Sequence, residues 1–220
     1  GGTYENGAAQ SAGNMYLAGT TATVTGVTFK NGDATLQCDG TTNGNGGNLQ
    51  STSSCAVTVT GCTFEGGKAM RGGSIAAFGQ MNLIDCTVGG GEAASGGGTV
   101  FVYQKGYINI TGNTEIFGGK VTNSSATGGT ININSFEAEG PNYIGDGVKI
   151  HSGTASQGSG IYLSNGALAL AGNVQIENIW VYNTSETCYI DATDLNTTTP
   201  IQVAANYAKK IGISATDKTD

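Results

Sequence analysis

Four aromatic residues, Tyr16, Phe101, Tyr103 and Tyr162, alternate along the chain with Met15, Leu17, Val100, Val102, Ile161 and Leu163, so an extended backbone turns them outward. An exposed ring costs solubility unless it stacks on a sugar or is buried against a partner, which makes these four the candidate ligand-binding residues. The competing arrangement is a neighbouring Gly-rich loop folded over them. Five cysteines, Cys38, Cys55, Cys62, Cys86 and Cys188, offer a second chemistry, but none has C-x-x-C spacing, so zinc and thioredoxin-like readings lack support. Asp191, Asp194 and Asn196 supply oxygens of the kind Ca²⁺ takes, yet without the spacing of an EF-hand, and a solvated turn is the simpler account. Arg71, the lone arginine, lies in a Gly-rich corner with no acidic cluster beside it in sequence, which is poor ground for lyase chemistry. No metal and no cofactor is expected.

The elements that must hold these side chains come from a repeat. A glycine pair, a small residue and an aliphatic recur as GGNL ending at Leu49, GGSI at Ile75, GGTV at Val100 and GGTI at Ile131, with weaker copies GSGI ending at Ile161 and AGNM ending at Met15. The anchors from Leu49 to Ile161 step by about 25 to 31 residues, normal for a solenoid whose loops vary. A second marker, TGVTF ending at Phe29, recurs as TGCTF at Phe64, DCTV at Val88, NTEI at Ile116, GVKI at Ile150 and NVQI at Ile176. Ahead of most markers lies an alternating pair: Ala22/Val24, Val57/Val59, Met81/Leu83, Ile108/Ile110 and Leu168/Leu170.

Three short strands per unit, separated by Gly-rich corners, describe one turn of a parallel β-helix, in which each rung buries its inward residues on its neighbours. The spacing predicts one interior column of Phe29, Phe64, Val88, Ile116, Ile150 and Ile176, and another of Val27, Cys62, Cys86, Thr114, Val148 and Val174. Cys62 and Cys86 then sit on consecutive rungs about 4.8 Å apart, either bridged or packed as two thiols. Cys38 and Cys55 flank the loop DGTTNGNGG and are placed to staple it. The unit from Phe136 to Tyr143 fits worst: EAEGPNY replaces its middle strand and reads as an outward loop.

The 220 residues carry 38 Gly and only 11% charged side chains, which excludes coiled coils and helical bundles, while a hydrophobic share of 38% argues against disorder. A net charge of −7 without a basic stripe makes nucleic acid an improbable partner. Apolar runs are far shorter than the ~20 residues of a membrane-spanning helix. The whole chain reads as a single domain, residues 1–220, in which 1–14 form a partial first rung and 201–220 a terminal strand and tail. A start in mid-rung leaves strand edges open and predicts end-to-end docking of copies into a filament.

GGKAMRGGSI, SGGGTVFVY and GSGIYLSNGALALAGNVQI resemble the GG-x-aliphatic repeats of bacterial surface proteins with a right-handed parallel β-helix, in the pectin-lyase-like superfamily; polymorphic outer membrane proteins use a related pattern. The resemblance covers roughly residues 1 to 190. It implies an all-β, right-handed solenoid of about six rungs, three strands each, exported to the cell surface or secreted. The implied role is adhesive or structural and non-catalytic, with glycans, other surface proteins or further copies of the chain as partners. A polysaccharide-active enzyme on the same fold is the rival. IGDGVKIHSG, Ile144 to Gly153, resembles the G-D-D-x-x-x-I-x-S-G stretch of polygalacturonases, which makes Asp146 the candidate catalytic acid. Gly147 stands where that family has its second carboxylate, and inverting hydrolysis needs two, about 6.5 to 9.5 Å apart. A corner Asp capping a turn is the alternative. Ice binding is a third reading, because Thr58, Thr60 and Thr63 align with Thr25 and Thr28, on two rungs only.

Overall fold

The computed structural model describes residues 1–19, 21–36, 44–182 and 188–205, together with the backbone of 213–214. Cys38, and with it the staple to Cys55, lies outside the described residues, as does most of the tail beyond residue 205. The described residues form no helix, and hence none long and apolar enough to cross a membrane. Their strands fall into four sheets in which every pairing is parallel.

The first sheet carries the GG-x-aliphatic anchors and runs Met15–Leu17, Leu49–Ser51, Ile75–Ala77, Val100–Tyr103, Ile131–Asn134, Ile161–Asn165, Asn178–Val181, Gln202–Ala205. The second runs Thr21–Thr25, Ala56–Thr60, Gln80–Ile84, Tyr107–Thr111, Asn142–Ile144, Ala167–Gly172, Tyr189–Leu195, Ile213–Ser214. The third runs Gly2–Glu5, Val27–Lys30, Thr63–Glu65, Thr87–Gly89, Glu115–Phe117, Lys149–His151, Gln175–Ile176. A short fourth sheet joins Lys68–Arg71, Glu92–Gly96 and Lys120–Val121. The chain thus moves from first sheet to second to third and returns to the first, each strand pairing with the one a full pass earlier. Long parallel sheets visited in cyclic order are compatible with a parallel β-helix or solenoid.

Two-residue alternation decides which side chains go inside. In the third sheet Phe29 pairs with Phe64, Phe64 with Val88, Val88 with Ile116, Ile116 with Ile150 and Ile150 with Ile176, and all six are buried. The Phe29 and Phe64 rings stack at 4.7 Å, and Tyr4 continues the stack on Phe29 at 5.6 Å. The anchors likewise align from Met15 through Leu49, Ile75, Val100, Ile131 and Ile161 to Ile179 and Val203, two members beyond the sequence reading.

The glycine pair has a double cause. Its first member, as at Gly97, has φ +60°, and a Cβ there would collide with the carbonyl oxygen of Val100. Its second member, Gly98, lies so close to the backbone of the next pass that a Cβ would strike Gly129 O. Left-handed backbone and close chain approach are both conditions that glycine alone meets without strain.

Corrected by the structure is the outward loop over EAEGPNY. Asn142–Ile144 is a strand of the second sheet, with Tyr143 opposite Asn109 and Ile144 opposite Ile110. Asn142, opposite Leu168, takes a fully buried place in an otherwise apolar column. Its side chain is satisfied there: Oδ1 accepts from Ile108 N at 3.1 Å, and Nδ2 donates to Ser135 Oγ at 3.3 Å and Ala167 O at 3.2 Å. A buried amide with partners is tolerable, which a reading by hydrophobicity overlooks. The loop proper is only 135–141.

Candidate functional site

Outward positions of the first sheet form two rows. In the first row Tyr16 lies opposite Gln50, Ala76 opposite Phe101, Phe101 opposite Asn132 and Asn132 opposite Tyr162. Tyr16 is 51% exposed, whereas Phe101 and Tyr162 are 5% and 7% exposed. The Gly corners pack against the backbone of these two residues: a Cβ on Gly97 would come within 3.1 Å of the Phe101 Cα, one on Gly158 within 3.0 Å of the Tyr162 Cα. Arg71 adds its guanidinium carbon 5.8 Å from the Phe101 centroid. Burial pushes the Tyr162 hydroxyl up to about 12, with the nearby Tyr182 a lesser cause.

Tyr103 stands in the second outward row, half-buried, stacked on Phe101 at 5.5 Å. Phe78 and Phe136 meet it edge-on, at 5.7 Å and 5.5 Å. Phe136 opens the 135–141 loop and is 47% exposed. The loop is tied at its base: Ser135 N donates to Asn165 O at 3.1 Å and Glu137 N to Gln104 O at 3.1 Å. Between it and the following pass lies a cleft of about 470 Å³, walled by Phe136, Glu139, Pro141, Asn165, Gly166 and Tyr189. On the other side of Glu139 a smaller cleft of about 190 Å³ is lined by Ser54, Gln80, Lys105 and Tyr107. Rings beside amide, hydroxyl and carboxylate groups in a concave site can hold a small polar-and-apolar ligand in a set orientation. Phe136, Glu139, Tyr107 and Tyr189 escaped the sequence reading. The available signal was an aromatic followed by two acids inside a Gly-Pro loop, the segment that broke the repeat.

The Asp146 carboxylate works at a corner. Its Oδ1 accepts from Asn173 N on the following pass at 2.7 Å, as Asp85 Oδ1 accepts from Asn113 N at 2.9 Å. His151 is half-buried nearby in sequence but engaged elsewhere: Nε2 meets Glu115 Oε1 at 3.0 Å, Nδ1 meets Ser152 Oγ at 2.9 Å, and the ring stacks on Phe117 at 5.7 Å. Asp191 Oδ1 accepts from Thr193 Oγ1 at 2.6 Å and from Thr193 N at 3.0 Å, which holds its carboxyl below the usual range. Among the described residues no three His, Cys, Asp or Glu side chains are grouped to hold a metal ion.

Cys62 and Cys86 are buried neighbours that keep separate partners. The Cys62 thiol donates to Thr60 O at 3.4 Å and the Cys86 thiol to Ile84 O at 3.3 Å. Burial pushes the Cys86 thiol above its ordinary pKa. The threonine rows pair Thr25 with Thr60 and Thr28 with Thr63, then run into Ile84 and, one strand after Thr87, Glu115.

Compared with protein-family models, with curated proteins and with solved structures, the chain matches none.

Proposed function

We propose that this chain is part of an exported surface protein, a right-handed parallel β-helix of about six rungs, that works as a non-catalytic adhesive element. Its partners are surface glycans or other surface proteins. The observation that carries the reading is Phe136: a ring 47% exposed, yet held on a tied-down loop by edge-on contact with Tyr103. Rigid aromatic surface is the economical way to make a contact, because little side-chain freedom is lost on binding. Export and surface display rest on the resemblance of the glycine repeats.

The test is retention under flow of beads carrying the full chain on glycan-coated and cell-surface layers. Wild-type beads should hold, and Phe136→Ala should release them at about a tenth of the load. Retention equal to that of an inert globular protein would overturn the reading.

A further inference from the structure

Resting on that adhesive reading, we propose that the two clefts flanking Glu139 are one groove that binds a neutral, unbranched glycan laid along the stacking direction of the strands. Ala56, Gln80 and Tyr107 are in register on successive strands of the second sheet, and further along Ala167 pairs with Tyr189. Five strand steps separate the Ala56 strand from the Tyr189 strand, roughly 24 Å at the usual strand spacing, room for several sugar rings. Glu139 lines both clefts, and a Cβ on Gly140 beside it would come within 3.8 Å of the Tyr107 ring, so the two clefts meet at the tip of the 135–141 loop.

The lining of the two clefts mixes rings and polar heads. Tyr107, Phe136 and Tyr189 present rings, the last two 47% and 39% exposed, while Gln80, Glu139 and Asn165 present hydrogen-bonding heads. Pyranose rings have the same duality, an apolar C–H face and a rim of hydroxyls. Charge selects within the class. Glu139 lines both clefts, Lys105 lines the smaller one alone, and the chain carries a net charge of −7, so uronates and sulfated sugars are disfavoured. An extended peptide fits less well, because it gains affinity from an open strand edge. Here the strands that flank the loop are paired on both sides, Asn142–Ile144 between Tyr107–Thr111 and Ala167–Gly172.

Calorimetry of the full chain against oligomers of neutral β-glucan, xylan and galactomannan, against polygalacturonate and heparin, and against a pool of extended peptides decides the matter. Expected is binding to at least one neutral oligomer, little changed on raising salt to about 0.5 M, with Glu139→Gln and Tyr189→Ala each weakening it about tenfold. Both side chains are at the surface, and an unchanged circular-dichroism spectrum shows that the variants fold. Preference for the anionic polymers, capture of a peptide, no binding at all, or neutral binding indifferent to both variants would each overturn the groove. If beads still adhere under flow while the groove variants have no effect, the adhesive reading stands and the groove falls; if wild-type beads fail to adhere, both fall.

Discussion

Asn14 donates from Nδ2 to Asn48 Oδ1 at 2.7 Å across two passes of the chain, and both residues occupy the small-residue position of the glycine motif. Asn48, fully buried, also accepts from Gly32 N at 2.9 Å and donates to Gly66 O at 3.1 Å and Ser74 Oγ at 3.0 Å. One amide therefore ties together four separate segments inside the core. Asn48→Ala leaves buried polar groups unsatisfied, each costing about 1–3 kcal/mol. Urea unfolding should show a lowered midpoint with an unchanged slope; an unchanged midpoint would mean that the ladder is dispensable.

Glycines with the same positive φ differ in what surrounds them. Gly26 has φ +62° with nothing within 4 Å of a Cβ, while a Cβ on Gly97, φ +60°, meets the Val100 carbonyl. Gly26→Ala should cost about 1–2 kcal/mol, the penalty of left-handed backbone alone. Gly97→Ala adds overpacking of about 1–3 kcal/mol. Thermal unfolding of the two variants side by side checks the order.

The Cys62 and Cys86 thiols should resist alkylation in the folded protein, since both are 1% exposed or less and burial disfavours the Cys86 thiolate. After denaturation in the absence of reductant, both should be recovered as alkylated cysteine by peptide mapping. A linked Cys62–Cys86 peptide would refute this.

Tyr162 sets an alkaline limit. Its ordinary pKa of 10.0 is raised to about 12 by burial, so the folded state favours the neutral phenol. That contribution is complete below pH 10 and is lost as pH rises from there towards 12. Absorbance titration of wild type and Tyr162→Phe should differ by one late-ionising tyrosine, and an early midpoint would show the ring to be open to water.

Asp146 should matter to the corner and not to catalysis. Asp146→Asn keeps an oxygen for Asn173 N and should cost less than about 1 kcal/mol, whereas Asp146→Ala loses that acceptor and should cost about 1–2 kcal/mol. Incubation with polygalacturonate should release no reducing or unsaturated ends. Turnover that disappears in Asp146→Asn would establish the rival enzymatic reading.

By itself the sequence determined the strand columns. Phe29 through Ile176 and Leu49 through Ile161 align because alternation and glycine placement are local properties, written within a few residues of each anchor. The folded chain decided which outward side chains meet solvent. Phe101 and Tyr162 alternate outward as Tyr16 does, yet they are buried and Tyr16 is half exposed, and no pattern along one strand records what lies above it. Asn142 was legible only once its three partners came together from residues 108, 135 and 167. The groove is the extreme case: Ser54 and Tyr107 come to line one cleft with Glu139, and Glu139 lines the next with Tyr189, because parallel stacking brings each pass within a strand spacing of the last.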